Sequence, residues 1–195
     1  DAYATPRRTE IGAAADGIED EDLIEREDMV VTVTMQGYIK RTPLDTFRAQ
    51  KRGGKGRAGM ATKDEDAITS LFVTSTHTPV LFFSTHGKVY RMKVWRLPEG
   101  GPATRGRPMI NLLPLANGEV ISTVLPLPED ENEWANLHVM FATAEGTVRR
   151  NSMDAFTNVP SNGKIAMRFD DDSTDRLIGV QLLSEENDVL LATRQ

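Results

Sequence analysis

The sequence predicts an all-β fold: propeller-like, built from four-stranded blades of about fifty residues, and truncated after about three and a half blades. Three observations predict it. Segments VVTVTMQGYIKRT, VLFFSTHGKVYRM and HVMFATAEGTVRRN superimpose as β-rich run, polar residue, glycine, and second β-rich run. Another β-rich run follows each glycine at a similar distance, in ITSLFV, VISTVL and LIGVQLL. Helical periodicity is weak throughout, apart from an expected short acidic helix in IEDEDLIERED.

Taken in chain order, residues 1–28 read as an acidic linker from a larger body, the first residue being Asp and not Met. A partial disc follows over 29–195, with units at about 29–75, 79–127 and 137–184 and the start of a fourth at 188–195. Gln36-Gly37, His86-Gly87 and Glu145-Gly146 suit two-residue hairpin turns, in which glycine takes the positive φ that side chains resist. The glycines are 50 and 59 residues apart, and the longer interval holds PLPEDENEW (126–134), which reads as a surface-loop insertion. Seven residues past each glycine stand Leu44, Val94 and Met153, and ten past stand Phe47, Leu97 and Phe156. Apolar residues at matching offsets are expected to be repeated core positions. The tail DVLLATRQ repeats the run before a turn, so the chain is expected to stop inside a fourth unit.

With 39% hydrophobic and 27% charged residues the composition is that of an ordinary globular chain. No apolar run reaches the ~20 residues a membrane span needs, and the N-terminus has no apolar signal segment. Zero cysteines exclude disulfides and thiolate metal sites, and fit a cytoplasmic protein. The net charge of −6 averages over opposed regions. Residues 1–36 sum to −7, 37–60 to +6, 88–107 to +5 and 170–195 to −5. That segregation predicts a basic rim on an acidic body, suited to a polyanion.

The densest basic stretch is AQKRGGKGRAGM (49–60). Its glycines, among them Gly53, Gly54 and Gly56, would let backbone N–H groups approach phosphates, while Lys51, Arg52, Lys55 and Arg57 supply charge. It lacks the GxxxxGK[ST] pattern of a nucleotide-binding loop. Lys55, Arg105 and Lys164 all fall eighteen residues past their turn glycines. A base on the same loop of successive blades would line one edge and follow a duplex backbone without reading its sequence. Lys40, Arg41 and Arg107 belong to the same basic regions and join the candidate DNA contacts. A solvated, solubilising loop is the bland alternative for this stretch.

The heptapeptide QKRGGKG, Gln50 to Gly56, closely resembles the box of the DNA gyrase A C-terminal domain family, usually Q-R/K-R-G-G-R/K-G. The likeness extends over EDMVVTVTMQGYIKRTPLDTFRAQKRGGKGR and, with weaker signatures, through the later repeats. It implies a β-pinwheel, normally six blades exchanging strands with their neighbours. Its basic rim would wrap double-stranded DNA, and the box would give the wrap the handedness that supports negative supercoiling. It also implies a place in an A2B2 heterotetramer, alongside a second A subunit, with the B subunit of gyrase. Catalytic tyrosine, ATP and Mg would then lie elsewhere in that holoenzyme, a type IIA topoisomerase. No catalytic residue, metal ligand, cofactor or membrane contact is expected in this fragment itself. Position 51 is Lys where the family more often has Arg, which keeps the charge and loses the planar fork.

His77, His86 and His138 lack metal-ligand spacing, Asp170, Asp171 and Asp172 read as solvated carboxylates, and Trp95 and Trp134 read as packing residues. Two alternatives remain open: the topoisomerase IV A-subunit domain, in which the box is degenerate or missing, and a propeller that binds proteins through its loops.

Overall fold

The computed structural model describes residues 20–47, 66–170 and 172–192. Three antiparallel sheets stand side by side, each grown from one hairpin of the repeat. The first hairpin joins β1 (Asp28–Thr34) to β2 (Tyr38–Pro43), the second joins β4 (Pro79–Ser84) to β5 (Lys88–Lys93), and the third joins β8 (His138–Thr143) to β9 (Val148–Ser152). The later run of each unit returns beside its hairpin as β3 (Ile68–Ser75), β7 (Ile121–Pro126) and β11 (Leu177–Leu183). The all-β, propeller-like expectation is borne out.

The fourth strand is borrowed. β6 (Arg107–Pro108) belongs to the second unit but pairs with β2 of the first, and β10 (Lys164–Ile165) belongs to the third but pairs with β5 of the second. The sheet orders are therefore β3-β1-β2-β6, β10-β5-β4-β7 and β11-β8-β9. Among the described residues the third sheet has three strands, and the outer edge of β9 is unpaired. Strand exchange of this kind is what the pinwheel likeness implied.

The turns differ from expectation. Three residues separate the strands in the first two hairpins and four in the third, and in each the closing hydrogen bond runs from the glycine N–H to the −3 carbonyl, as in Gly37 to Thr34 at 3.0 Å. Positive φ occurs at Gly37, Gly87 and Gly146 and at no non-glycine among the described residues. A two-residue type I′ turn would need positive φ at two successive positions, which Gln36, His86 and Glu145 resist; a type I turn closed by a left-handed glycine needs it once.

Burial follows the stacking. All six residues of β4 are buried, with Val80 and Phe82 packed toward the first sheet and Leu81 and Phe83 toward the third. A strand covered on both faces has no reason to alternate, which explains the unbroken run VLFF. Phe83, Phe141 and Phe156 meet edge-to-face with centroids 5.6–6.3 Å apart. Val94, Leu97, Met153 and Phe156 are core, carried on or beside short 3-10 turns. Leu44 is not: it is 36% exposed, because the turns of later units pack on the preceding sheet and no such sheet lies before the first unit among the described residues. Residues 126–134 also depart from a plain surface loop. They lead into a 3-10 turn (Glu131–Asn136) that drives Trp134 fully into the core, its indole donating to the Pro128 carbonyl at 2.9 Å.

Before β1, Asp20–Leu23 forms a 3-10 turn in place of the expected acidic α-helix. This acidic stretch leans on the second unit: Glu21 pairs with Lys93 at 3.1 Å, Arg26 with Glu129 at 2.7 Å, and the Glu27 N–H bonds the Thr76 hydroxyl. Among the described residues no helix is long and apolar enough to cross a membrane.

Candidate nucleic-acid interface

Gln50, Lys51, Arg52, Gly53, Gly54, Lys55, Gly56 and Arg57 lie outside the described residues. The five other candidate contacts are described, and they separate into two groups.

Lys40 is the third residue past its turn glycine, and its β2 position points under the exchanged segment of the next unit. It is fully buried. Its ammonium donates to the carbonyls of Gly101 (2.7 Å), Thr104 (3.0 Å) and Pro102 (3.2 Å), and burial holds its pKa below the usual lysine range. A cation so enclosed cannot reach a phosphate. Lys40 fastens the second unit to the first.

Arg41 does the same from the next position. Its Nε donates to the Leu97 carbonyl at 2.9 Å and its guanidinium pairs with Glu99 at 3.0 Å, leaving the side chain 16% exposed. Arg91, four past Gly87, repeats the arrangement one unit on. It reaches the Thr157 carbonyl and Glu131 and lies over the Trp134 ring, 5.2 Å from its centroid. The arginine four past each turn glycine (Arg41, Arg91, Arg150) is a repeat signal in the sequence that charge counting overlooks.

Arg105 is likewise engaged. Its guanidinium lies 3.7 Å from the Tyr38 ring centroid, bonds the Gln36 side-chain carbonyl at 2.7 Å, and pairs with Asp66 at 3.5 Å. These three groups belong to the first sheet's hairpin and to the segment returning to it.

Arg107 and Lys164 are placed differently. Arg107 pairs in register with Ile39, and Lys164 with Val89, each partner standing two residues past its turn glycine. The residue preceding each base is a glycine of positive φ, Gly106 at 82° and Gly163 at 85°. A Cβ on Gly106 would lie 2.5 Å from the Ile39 carbonyl oxygen, and one on Gly163 would lie 2.7 Å from the Tyr90 ring. Glycine is therefore required twice over, by its φ and by the closeness of the strand beneath. The Arg107 side chain is exposed and has no partner among the described residues. Lys164 donates to the Ala155 carbonyl at 2.6 Å and meets no carboxylate among the described residues.

This register corrects the equivalence expected from spacing. Arg105 and Lys164 share an offset of eighteen in sequence, but Lys164 is the structural counterpart of Arg107, since the third unit reaches its exchanged strand two residues sooner. The repeated unit is a glycine followed by a base: Gly106-Arg107, Gly163-Lys164 and, in sequence, Gly56-Arg57. Arg149 and Arg150 on β9 are exposed as well, beside the unpaired edge.

One further network holds each hairpin in place. A hydroxyl three residues before each glycine (Thr34, Ser84, Thr143) accepts the N–H one residue after it, at 3.2, 3.2 and 3.0 Å. The same hydroxyls bond the carboxylates of Asp66, Glu119 and Asp175. Burial by itself would raise these three carboxyls. The donors outweigh it: the Gln36 N–H and Arg105 at Asp66, the Ala116 N–H and Tyr90 hydroxyl at Glu119, and the Glu145 and Arg176 N–H groups at Asp175 all help hold the pKa below the ordinary carboxylate range.

A family model described as "DNA gyrase C-terminal domain, beta-propeller" matches residues 28–75, 78–128 and 137–184. The chain belongs to this family. Among proteins similar to this gyrase C-terminal family member, the DNA gyrase A subunit of Rickettsia bellii (strain RML369-C) is 54% identical over 192 residues, covering 98% of this chain and 21% of that protein. The DNA gyrase A subunit of Escherichia coli (strain K12) is 46% identical over 189 residues, covering 97% and 21%. The chain thus spans about a fifth of the length of these relatives. Among solved structures, the C-terminal domain of DNA topoisomerase IV superimposes with a TM-score of 0.67 at 24% identity, over 82% of this chain and 46% of that one. The DNA gyrase A C-terminal domain gives 0.58 at 23%, over 82% and 49%. At such identities the two structures speak for the fold alone.

Proposed function

We propose that this gyrase C-terminal family member is a duplex-DNA-wrapping element of a gyrase A subunit. The observation that carries the reading is the placement of Arg107 and Lys164 at the same point of two successive exchanged strands, each preceded by a glycine of positive φ. Two cations repeated with the blades make a track for phosphates, and such a track binds without reading bases. Gly56-Arg57, where the QKRGGKG box ends, extends the series in sequence.

In this reading the parent protein joins a second A subunit, together with two copies of the B subunit, in the bacterial cytoplasm. The assembly, a type II topoisomerase, introduces negative supercoils at the expense of ATP. Catalytic tyrosine, ATP and Mg belong to other parts of that assembly, and the chain's own residues bind and bend the duplex. Bending a duplex segment costs on the order of several kcal/mol, and basic contacts spread along the rim offset it. A topoisomerase IV A subunit shares the fold, but the intact box and the identity to gyrase A subunits favour gyrase.

Fluorescence anisotropy of the parent subunit with a labelled duplex, across a salt series, tests the reading. Log affinity is expected to fall linearly with log salt, by about 0.9 for each phosphate neutralised, with little dependence on base sequence. A flat salt response overturns it.

A further inference from the structure

Asn-Gly occurs twice in the sequence, at Asn117-Gly118 and at Asn162-Gly163. Both asparagines are exposed, and neither side chain has a partner among the described residues. In this dipeptide the asparagine side chain is unusually open to attack from its own main chain. The glycine nitrogen reaches the asparagine Cγ without a Cβ standing in the way. The two copies are nonetheless set differently.

At Gly163 the nitrogen is engaged. It donates to the Pro160 carbonyl at 2.9 Å, and the residue lies against Tyr90, whose ring a Cβ there would approach to 2.7 Å. Gly118 has neither restraint. It is exposed, its N–H has no acceptor among the described residues, and a Cβ on it would meet nothing within 4 Å. The turn that carries it is closed at its base. There the Glu119 N–H donates to the Ala116 carbonyl at 3.1 Å, and the Ala116 N–H to Glu119 Oε2 at 2.7 Å. Asn117 and Gly118 form the open tip above those bonds.

We propose that Asn117-Gly118 is a self-modification site, at which the folded chain deamidates through a succinimide while Asn162-Gly163 is held intact. Solvent takes the Gly118 N–H proton, the nitrogen bonds to Asn117 Cγ, and the side-chain nitrogen leaves as ammonia. Water then opens the ring at either carbonyl, giving aspartate or isoaspartate. Aspartate adds only a charge at the exposed tip. Isoaspartate also inserts a methylene into the main chain, inside the turn that holds Glu119. Glu119 accepts from the Tyr90 hydroxyl at 3.0 Å, and the Tyr90 ring lies beneath Gly163, the residue before Lys164. An altered turn thus bears on the exchanged strand β10 through residues in contact.

The test ages the complete parent subunit in mildly alkaline buffer, folded and, in parallel, in denaturant. Peptide mass spectrometry reads conversion at each asparagine, enzymatic methylation of isoaspartyl carboxyls identifies the product, and hydrogen exchange reads the opening of β10. In the folded subunit Asn117 is expected to convert and Asn162 to lag roughly tenfold, the factor that one retained backbone hydrogen bond supplies. In denaturant the two rates converge, because only the fold separates them. After ageing, exchange over β10 is expected to quicken in the parent and to stay unchanged in Asn117→Ser, which lacks the site. Asn117→Asp, with the charge and an ordinary backbone, exchanges as the unaged parent does. Equal rates at the two asparagines in the folded subunit overturn the proposal. So does a folded subunit in which Asn117 survives while the denatured one is converted. Unchanged exchange over β10 in a parent that carries isoaspartate at this turn overturns the link through Glu119 and Tyr90.

Discussion

Arg107 pairs with Ile39 across the exchanged strand, one position from Lys40, and of these two neighbouring cations only Arg107 meets solvent. The same exchanged segment separates them. Its carbonyls enclose the ammonium of Lys40 from above, while Arg107, preceded by Gly106 of positive φ, stays exposed. The exchange therefore leaves two bases in opposite settings, one enclosed between units and the other open to solvent, where in the proposed reading it attracts a polyanion.

Opposite consequences are expected from removing them. Lys40→Met strands three carbonyls, those of Gly101, Pro102 and Thr104, and is expected to cost about 1–3 kcal/mol of stability with the salt slope of DNA binding unchanged. Arg107→Ala is expected to leave the melting temperature within about a degree and to lower the slope by about 0.9. Thermal melting and anisotropy on the same two variants check both. A lower slope in Lys40→Met would contradict its buried role.

The junction between the second and third sheets is expected to fail at Trp134. Its ring is fully buried, capped by Arg91 from the preceding unit, and its N–H is satisfied by Pro128. Trp134→Ala is expected to cost about 3–5 kcal/mol. A double-mutant cycle with Arg91→Ala should show coupling of about 0.5–2 kcal/mol, since the two side chains are in contact. Additive effects in denaturant unfolding would mean that the stacking contributes nothing.

Much of this architecture was legible in the sequence because the repeat imposes it. Three glycines in register marked the hairpins, and the offsets of Val94, Met153, Leu97 and Phe156 marked core positions. Strand exchange was implied by the family likeness, but composition and spacing did not show which residues it would cover. Charge made Lys40 and Arg41 read as rim residues, and charge with a shared offset did so for Arg105, although each is taken up by the backbone or carboxylates of the adjoining unit. Those partners lie 56 to 64 residues from Lys40 and Arg41 and 39 from Arg105, where no local pattern reports them. Length also misled. Arg105 shares a sequence offset with Lys164, and a two-residue difference in the preceding loop moves the structural equivalence to Arg107. The glycine before each exchanged base was the better guide, because φ and close approach both demand it.

Stability is also expected to depend on pH at both ends of the scale. Asp66, Glu119 and Asp175 are all held below the ordinary carboxylate range in the folded chain, burial being outweighed by the N–H and hydroxyl donors around them. A group whose folded pKa is depressed binds its proton more readily when unfolded, so its stabilisation is present above the unfolded pKa and is lost as pH falls through the folded one. The hairpin network is thus expected to be intact at neutral pH and to weaken progressively below about pH 4. At the alkaline end Tyr90, pushed up to about 12 by burial and then by Glu119, reverses the sign. Its phenol ionises more readily in the unfolded chain, so stability is expected to decline as pH rises beyond about 10. Denaturant unfolding followed from strongly acidic to strongly alkaline buffer measures both limbs. Glu119→Gln should shallow the acid limb, because one titrating group is gone, and Tyr90→Phe should shallow the alkaline limb. An acid limb as steep in Glu119→Gln as in the parent would show that this carboxylate is not held by its turn, and that the repeated hydroxyl–acid pair does not stabilise the second hairpin.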